Sequence, residues 1–331
     1  MTQPAVLITG FTVVEEAQKL LRDAGFDIVF MGSDIGESFL LKEFSQRKVP
    51  AVLLRGPSPF TPKVFAAAKD LKIISKHGAG IDSVDLASAT AHGVAVMITN
   101  GTNAAAVAEH SLALMLAVVR ELPQFDRRMR AGQWKDQTYI VRDFSQRTIG
   151  IVGYGEIGKK TAALAAACGA KVVITSRTRA TPPPGMEWED SLERLLGRVD
   201  VLSLHCPLTD KTKGMIGAKQ LALMKPEAII VNTARGKLID ETALIAALKS
   251  GRLAGAGLDV FEKEPADAGN PLFALPNVLC TPHIASTTTH AAAQMGVIAV
   301  HNILSWMRGE VYDSRNFINP EVAGGRKRAA N

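Results

Sequence analysis

The sequence predicts an α/β protein with two doubly wound parallel-sheet domains and a cleft between them. Its length of 331 residues is typical of two domains. Short apolar runs alternate with amphipathic helical stretches along most of the chain, which indicates parallel strands joined by helices. The runs are continuously apolar, as expected for strands that are buried on both faces of a sheet.

The first series of strands and helices lies in residues 1–99. A further helical stretch, residues 286–308, has no strand to follow. We expect it to return to the first series, so that one domain combines residues 1–99 with 288–331. The expected strands are residues 5–9, 27–30, 51–54, 72–75 and 94–98, and the expected helices are residues 13–24, 37–45, 62–69 and 84–92.

A second domain, residues 100–287, is organised around a glycine-rich turn. An apolar run leads into G-Y-G-E-I-G at residues 153–158, and a helical stretch follows from Lys159. In such a motif the first glycine permits a tight turn, the second lets a pyrophosphate approach, and the third lets the helix pack on the strand. This context is typical of a dinucleotide-binding Rossmann domain. The expected strands are residues 148–152, 171–175, 200–204, 228–232, 254–258 and 278–280.

The stretch between the two series is helical and strongly apolar. Residues 103–130 carry too little polar surface for an isolated helix, so we expect burial between domains or between subunits. The segment Ala104–Val119 accordingly suggests a homodimer. Pro123 is expected to break or kink the helix.

Composition argues against several classes of function. The net charge is +6, but no groove-reading or aromatic motif accompanies the basic residues within 120–135 and 326–328, so we expect no nucleic-acid partner. The three cysteines are far apart and lack metal-ligand spacing, which indicates reduced thiols in the cytoplasm and no metal. The first residues lack the basic region of a signal peptide, and no apolar stretch has the length of a membrane span.

A second glycine-rich turn, at residues 77–80, also follows a strand. Ser83 stands where a third glycine would be needed, so this turn is not a second dinucleotide site. Backbone N–H groups in such turns bind anions, which makes Gly78, Ala79 and Gly80 candidates for a carboxylate ligand. A plain turn is the alternative.

Three later segments place polar side chains at the carboxyl ends of strands, where open α/β sheets bind ligands. They are N-T-A-R-G at residues 232–236, D-V-F-E-K-E-P at 259–265 and T-P-H-I-A-S at 281–286. Together they bring an arginine, an aspartate, a glutamate and a histidine to one edge of the sheet.

Taken in order, these motifs resemble the D-isomer-specific 2-hydroxyacid dehydrogenase family, which includes phosphoglycerate dehydrogenase, glyoxylate/hydroxypyruvate reductases and D-lactate dehydrogenase. The resemblance covers nearly the whole chain, including G-A-G-I-D at residues 78–82, V-A-E-H at 107–110 and G-Q-W at 132–134. It implies an oxidoreductase acting on CH–OH donors, which transfers a hydride between NADP(H) or NAD(H) and a small D-2-hydroxy acid or 2-keto acid. It also implies that residues 1–99 with 288–331 form a flavodoxin-like substrate (catalytic) domain.

The resemblance implies three catalytic residues. His283 is the family's general acid, and an imidazole suits proton transfer near neutral pH. Glu264 is its carboxylate partner and favours the charged imidazole. Arg235 grips the carboxylate and keto oxygen of the substrate with a guanidinium fork. Taken singly, each is more often an ordinary surface or core group.

The resemblance also implies ligand contacts. Arg55 ends the third strand, where family members meet the far end of the substrate; an exposed charge is the alternative. Cys206 lies near the cofactor edge, although a small buried side chain is its simpler role. The substrate candidates are Arg55, Gly78, Ala79, Gly80, Arg235 and His283. The cofactor candidates are Gly153, Tyr154, Gly155, Glu156, Ile157, Gly158, Ser176, Arg177, Thr178, Cys206, Pro207, Thr212, Thr233, Ala234, Arg235, Asp259, His283, Ala285 and Ser286.

The second strand of the cofactor domain predicts a preference for NADP. NAD enzymes normally place Asp or Glu at its end to bind the ribose hydroxyls. Here Ser176 and Arg177 follow the strand, and they suit a 2′-phosphate that a carboxylate would repel. NAD remains a usable cofactor, and the alternative is that Arg177 merely stacks on the adenine.

We expect a cytoplasmic homodimer that reduces glyoxylate, hydroxypyruvate or a related small 2-keto acid. One alternative is 3-phosphoglycerate dehydrogenase. An alternative from another class is a redox-sensing corepressor on the same fold, against which the intact set of Arg235, Glu264 and His283 argues.

Overall fold

The chain folds into two compact α/β units. The computed structural model describes residues 3–34, 36–135, 139–324 and 327–328. One unit is Met1–Asn103 with Thr287–Asn331, and the other is Ala104–Ser286. The sequence placed these boundaries at 99/100 and 287/288. Arg326, in the basic carboxyl-terminal stretch, lies outside the described residues.

A five-stranded parallel sheet forms the centre of the first unit. Its strands are β1 (Ala5–Ile8), β2 (Asp27–Phe30), β3 (Ala51–Leu54), β4 (Ile73–Lys76) and β5 (Ala95–Met97). The helices between them are α1 (Glu15–Asp23), α2 (Glu37–Gln46), α3 (Pro62–Ala67) and α4 (Leu86–Ala91). The strands lie in the order β2-β1-β3-β4-β5, which is the order of flavodoxin-like sheets.

Each face of this sheet has its own core, because successive residues of a strand point to opposite faces. On one face, Val6 and Ile8 of β1 join a cluster with Leu21 of α1. On the other face, Leu7 joins a cluster with Val64 of α3. All residues of β1, β3 and β4 are buried, so these strands are covered on both sides, as their continuous apolar runs predicted.

A seven-stranded parallel sheet forms the centre of the second unit. Its strands are β6 (Thr148–Val152), β7 (Lys171–Thr175), β8 (Met186–Trp188), β9 (Val201–Leu204), β10 (Ala228–Asn232), β11 (Leu253–Leu258) and β12 (Val278–Cys280). Its helices are α5 (Ala104–Val119), α6 (Leu122–Arg130), α7 (Glu156–Ala167), α8 (Leu192–Arg198), α9 (Ala218–Leu223) and α10 (Glu241–Lys249). The order β12-β11-β10-β9-β6-β7-β8 reverses between β6 and β9, at the point where doubly wound sheets bind ligands. Two parallel-sheet α/β units confirm the predicted fold class.

The edge strand β8 was not predicted. In the described part of the chain it pairs with β7 alone. It follows the proline-rich residues 182–185, and its own residues are exposed or half-buried. It therefore lacks the continuous apolar run that marks the other six strands, and the prediction of six strands was wrong by one.

The carboxyl half of the apolar helix α5 is buried within the second unit. Leu114, Met115 and Val118 pack with Ile149 of β6 and Val231 of β10. For these side chains, the expectation of burial between domains or subunits is corrected, because the sheet of their own unit covers them. Their apolar character is therefore no argument for a dimer.

Pro123 marks a break in the helix rather than a kink. The helix α5 ends at Val119, and Glu121 then adopts a left-handed conformation with a φ of 53°. The helix α6 begins at Leu122 with Pro123 in its first turn. A proline is tolerated there because the first N–H groups of a helix need no partner within it.

The chain returns to the first unit through α11 (Thr289–Met307). The Thr288 side chain caps this helix by accepting from the Ala291 N–H, and Ile303 packs in one cluster with Ile8. The last strands, β13 (Glu310–Val311) and β14 (Lys327–Arg328), pair in parallel. Turns of 3-10 helix lie at Phe144–Gln146, Gly236–Leu238, Pro271–Ala274, Ser314–Asn316 and Pro320–Ala323.

Two further features were searched for among the described residues. None of their helices combines the length and the apolar character that crossing a membrane requires. No group of three or more His, Cys, Asp and Glu side chains within them is arranged to hold a metal ion.

Candidate active site

The glycine turn links β6 to α7. Gly153 has a φ of 97°, and a Cβ there would lie 2.6 Å from the carbonyl oxygen of His205. A Cβ at Gly158 would lie 2.0 Å from the carbonyl oxygen of Gly153. Backbone packing therefore requires both glycines. At Gly155, in contrast, no described atom lies within 4 Å of the Cβ position, so that side of the turn is open.

This turn fits the pyrophosphate of a dinucleotide. The helix α7 begins at Glu156, three residues earlier than the sequence indicates, and the N-cap residue Gly155 supplies no side chain to its first N–H groups. Unpaired N–H groups at a helix N-terminus favour an anion. The open space at Gly155 lets an anion approach them. Tyr154 lies in the same turn, and Ile157 and Gly158 lie in the first turn of α7.

Two strand ends flank the glycine turn. The Gly153 N–H donates to the carbonyl oxygen of Thr175 at the end of β7 (2.8 Å). The His205 N–H, just after β9, donates to the carbonyl oxygen of Val152 (2.7 Å). The structure thus brings five cofactor candidates to the two sides of the turn. They are Ser176, Arg177 and Thr178 after β7, and Cys206 and Pro207 after β9.

Cys206 and Thr212 are already engaged by their neighbours. Sγ of Cys206 lies 3.7 Å from Sδ of Met215, and burial raises the pKa of its thiol to about 11. A neutral, half-buried thiol fits the simpler role as a packing side chain. The Thr212 hydroxyl donates to the carbonyl oxygen of Pro207 and accepts from the Thr209 N–H, both at 2.8 Å.

Asn232 holds the loop that carries Arg235. Its side-chain amide donates to the carbonyl oxygen of Arg235 (2.8 Å), and its Oδ1 accepts from the Ala234 N–H (3.0 Å). The hydroxyls of Thr233 and of Ser111 in α5 lie 2.7 Å apart. These contacts fix the backbone from which the Arg235 side chain extends. The signal in the sequence was an Asn at the end of a buried strand, a residue that favours such local bonds.

Glu264 and His283 form a hydrogen-bonded pair. Nδ1 of His283 lies 2.6 Å from Oε2 of Glu264, and the Phe261 N–H donates to Oε1 (3.0 Å). Burial acts to raise the pKa of the Glu264 carboxyl. The hydrogen bonds from His283 and Phe261, with the charges of His283 and Arg235, outweigh burial and lower this pKa below its usual 4.5. Glu264 is therefore ionised at neutral pH, and its carboxylate offers an anionic hydrogen-bond partner to Nδ1 of His283.

Asp259 holds the backbone of His283. The φ of His283 is 53°, a conformation that residues with a Cβ rarely adopt. Its N–H donates to the carbonyl oxygen of Asp259 (2.8 Å). The fully buried Asp259 carboxylate accepts from the N–H groups of Ile284 (2.9 Å) and Ala285 (2.8 Å) and from Oγ1 of Thr281 (2.6 Å). Asp259, the residue directly after β11, thus fixes the turn around His283.

His110 of α5 reaches the same network. Its Nε2 lies 3.0 Å from Oγ1 of Thr281 and 3.6 Å from Oδ1 of Asp259. The sequence predicts Asp259 and Ala285 as cofactor contacts, whereas the structure joins the Asp259 carboxylate to the Ala285 N–H. The sequence did not reveal the network, because the pairing of its members depends on tertiary contacts. Ser286 follows as the last, half-buried residue of the unit.

Arg55 lies at the carboxyl end of β3 in the first unit. Oγ1 of Thr9 donates to its carbonyl oxygen (2.6 Å), and its guanidinium donates to the carbonyl oxygen of Thr12. The guanidinium is half-buried, and burial lowers the pKa of Arg55. In the part of the chain that the structure describes, Arg55 has no carboxylate partner. A half-buried cation of this kind suits an anionic ligand.

The second glycine turn lies in the first unit beside Arg55. The Gly78 N–H donates to Oγ1 of Thr99, and its carbonyl oxygen accepts from the Thr99 N–H, both at 2.9 Å. The Gly78 N–H is therefore unavailable to an anion, which corrects its candidacy as a donor. Within the described ranges, the N–H groups of Ala79 and Gly80 have no hydrogen-bond partner.

His77, which precedes this turn, is neutral at physiological pH. Burial, and then the charge of Arg55, lower the pKa of His77 to about 4. Its Nε2 lies 3.1 Å from the carbonyl oxygen of Ala292 in α11. The neutral imidazole thus donates its one N–H to α11, connects two elements of the first unit and cannot act as a general acid near pH 7.

Residues 112–285 match the family model for the D-isomer specific 2-hydroxyacid dehydrogenase, NAD binding domain. The chain belongs to the D-isomer specific 2-hydroxyacid dehydrogenase family. A glyoxylate reductase of Thermococcus litoralis is 40% identical over 286 residues, which cover 83% of this chain and 85% of that protein. A D-3-phosphoglycerate dehydrogenase of Archaeoglobus fulgidus is 36% identical over 311 residues, which cover 93% of this chain and 58% of that protein. The chain thus spans little more than half the length of the second relative.

A solved structure is similar over nearly the full length. It is an NADPH-dependent glyoxylate/hydroxypyruvate reductase of Sinorhizobium meliloti in complex with NADP and malonate, with a TM-score of 0.84, 29% identity, and coverage of 99% of this chain and 100% of that chain. The resemblance to the 2-hydroxyacid dehydrogenase family is thereby confirmed. Membership of the 2-hydroxyacid dehydrogenase family, together with the matched NAD binding domain, indicates an oxidoreductase with a nicotinamide cofactor.

Proposed function

We propose that this protein reduces glyoxylate, hydroxypyruvate or a related small 2-keto acid to the D-2-hydroxy acid, with NADP(H) preferred over NAD(H). The observation that carries the proposal is the 2.6 Å contact between Glu264 and His283 at the carboxyl edge of a sheet whose glycine turn fits a dinucleotide. The relatives from T. litoralis and S. meliloti, which are named for such substrates, support it.

The residues have separate roles in the proposed reaction. A bound nicotinamide supplies the hydride. His283 delivers a proton from Nε2, the ring nitrogen opposite the one that contacts Glu264, to the keto oxygen. Glu264 orients the imidazole and stabilises its charge. Arg235 binds the substrate carboxylate and opposes the negative charge that develops on the keto oxygen.

The proposed preference for NADP depends on the loop after β7. Ser176 and Arg177 stand where NAD enzymes place a carboxylate, and Arg177 is exposed. Since Arg177 has no ion pair among the described residues, its guanidinium is available to a 2′-phosphate. The alternative, stacking of Arg177 on the adenine, would let NADH serve equally well. We assign further cofactor contacts to Thr178, Pro207, Thr233, Ala234 and Ser286.

Arg55 is proposed to contact the far end of the substrate. The N–H groups of Ala79 and Gly80 are proposed to donate to the carboxylate of the substrate. A half-buried Arg55 without a carboxylate partner in the described chain also favours a second candidate function, 3-phosphoglycerate dehydrogenase, because a distal phosphate would pair with it. The A. fulgidus relative carries that name.

The test is a panel assay of NADPH oxidation with glyoxylate, hydroxypyruvate, pyruvate, phenylpyruvate and phosphohydroxypyruvate. We expect the highest kcat/KM with glyoxylate or hydroxypyruvate. A clear preference for phosphohydroxypyruvate would support the second candidate. No turnover on any of them would favour a corepressor-like binding protein. His283→Ala is the control, since it should abolish reduction while it retains NADPH binding.

A cytoplasmic homodimer is the proposed assembly. Four exposed apolar side chains of α6 and the segment after it support a second copy as the partner. They are Leu122, Met129, Trp134 (73% exposed) and Ile140 (90% exposed). Three free cysteines support a reducing compartment. Sedimentation analysis tests the assembly, and a monomeric mass at micromolar concentration would exclude it.

A further inference from the structure

Two arginines, Arg177 and Arg179, lie in the loop that starts beside the glycine turn. Thr175, the last residue of β7, accepts from the Gly153 N–H at 2.8 Å, so the loop begins where the pyrophosphate is proposed to bind. The two arginines differ in their partners. Arg177 is exposed and has no ion pair in the described chain. Nη1 of Arg179 lies 2.6 Å from Oδ2 of Asp190.

Asp190 is itself held in place just after the edge strand β8. Nε1 of Trp188 donates to Oδ1 of Asp190 at 3.0 Å, so each carboxylate oxygen has a partner. The Trp188 ring meets the ring of Tyr154 edge-on, with centroids 6.1 Å apart. A chain of contacts therefore runs from Arg179 through Asp190 and Trp188 to the glycine turn.

We propose that Asp190 sets the degree of NADP preference by holding Arg179 in an ion pair. The inference rests on the proposed function, in which Arg177 binds the 2′-phosphate. The Asp190 carboxylate neutralises the second arginine of the loop and adds a negative charge near a site for a dianion. NADH carries only a hydroxyl at this position, so Asp190 affects its binding much less.

The ion pair is weak enough to be opened without damage to the fold. Arg179 and Asp190 are 68% and 57% exposed, and exposed pairs contribute little to stability. A guanidinium binds phosphate through charge-assisted, bidentate hydrogen bonds. Removal of the Asp190 charge therefore gives the 2′-phosphate a second cation beside Arg177.

The test uses Asp190→Asn, in which Oδ1 still accepts from Trp188 but the amide cannot pair with Arg179. Dissociation constants for NADPH, NADH and adenosine 2′,5′-bisphosphate are measured by calorimetry. The same measurements are made on Arg179→Gln and on the double variant. The matched control is Asp23→Asn, which removes the carboxylate of another exposed ion pair, 2.6 Å from Lys19 in the first unit.

We expect Asp190→Asn to lower the Kd of NADPH and of the bisphosphate by about three- to tenfold. The Kd of NADH should change by less than about twofold, because NADH has no 2′-phosphate for Arg179 to bind. In the double variant the gain should be lost, and Asp23→Asn should bind all three ligands as the wild type does. Thermal melting confirms that each variant folds.

Three results would overturn the role of Asp190: unchanged or weaker NADPH binding in Asp190→Asn, equal tightening of NADPH and NADH, or a gain that survives in the double variant. The proposed NADP preference is tested separately, by the ratio of the wild-type Kd values and by Arg177→Gln. A wild type that binds NADH more tightly would remove that preference. The change in the Kd of NADPH caused by Asp190→Asn would still decide whether the ion pair with Asp190 keeps Arg179 from binding the 2′-phosphate.

Discussion

The carboxylate of Glu264 lies 2.6 Å from Nδ1 of His283. A second carboxylate, that of Asp259, holds the backbone turn on which this imidazole stands. Glu264 therefore contacts the imidazole ring, whereas Asp259 contacts the backbone next to it. Substitutions of the two residues should differ in their effects on catalysis and on stability.

Replacement of Glu264 by Gln keeps the shape of the side chain and removes its charge. We expect kcat/KM for 2-keto acid reduction to fall by about ten- to hundredfold at neutral pH. The neutral amide no longer offers the charge-assisted hydrogen bond that orients the His283 ring. The measurement is kcat/KM between pH 5 and 9, with Glu262→Gln as the control. A profile identical to that of the wild type would remove Glu264 from the mechanism.

Replacement of Asp259 by Asn should affect both folding and catalysis. The amide cannot accept all the hydrogen bonds that the carboxylate accepts, so we expect a loss of about 1–3 kcal/mol in the free energy of unfolding. We also expect kcat to fall by at least about tenfold, because the His283 turn loses its support. Urea denaturation and steady-state kinetics measure the two effects. Lower stability with an unchanged kcat would show that the turn does not depend on Asp259.

Two alanine substitutions separate binding from packing in the glycine turn. Gly155→Ala meets open space, so the protein should keep its stability and lose NADPH affinity as the new methyl group blocks the ligand. Gly158→Ala places a Cβ 2.0 Å from the Gly153 carbonyl oxygen and should destabilise the unit. Calorimetric binding and thermal melting distinguish the two. Unaltered NADPH affinity in Gly155→Ala would argue against this face of the turn as the cofactor site.

The lowered pKa of His77, about 4 instead of 6.5, makes stability depend on pH. Below pH 6.5 His77 is protonated in the unfolded chain, whereas in the folded chain it stays neutral until the pH approaches 4. The contribution of the neutral His77 to the free energy of unfolding is therefore complete above pH 6.5 and is lost as the pH falls toward 4. The loss at pH 5 is about 2 kcal/mol. His77→Gln should reduce the difference in unfolding free energy between pH 8 and pH 5 by that amount in urea titrations; an unchanged difference would contradict the burial of a neutral imidazole.

The cofactor preference makes a kinetic prediction. The wild type should show a higher kcat/KM with NADPH than with NADH, and Arg177→Asp should erase or reverse this ratio, because a carboxylate repels the 2′-phosphate. Both cofactors are assayed with the best substrate of the panel. A wild type that clearly prefers NADH would disprove the proposal.

Strands that are buried on both faces are predictable from the sequence alone. The runs in β1 and β10 are continuously apolar, and their limits in the structure differ from the expected ones by no more than a residue. The short edge strand β8 escapes such a pattern, since one flank of it faces solvent. The apolar helix α5 was recognised as buried, but hydropathy does not say which neighbour covers it.

The candidate site was predictable to the level of residue type and order. Arg235, Glu264 and His283 each follow a strand, and strand ends gather at one edge of a parallel sheet. Hydrogen bonds between residues that are distant in the chain could not be predicted from the sequence. The Gly78 N–H is taken by Thr99, and the Asp259 carboxylate serves the His283 turn. Each of these pairings joins residues that only folding brings together.

The position of β8 at the margin of the sheet has an evolutionary consequence. Trp188 and Asp190 belong to the outermost strand and its end, where in the described chain β7 is the single strand neighbour. Mutations there leave the central strands and their cores untouched. Under the proposed role of Asp190, a lineage could change its preference between NADP and NAD by substitutions at this margin. The proposed catalytic residues, which follow β10, β11 and β12, would stay under separate selection.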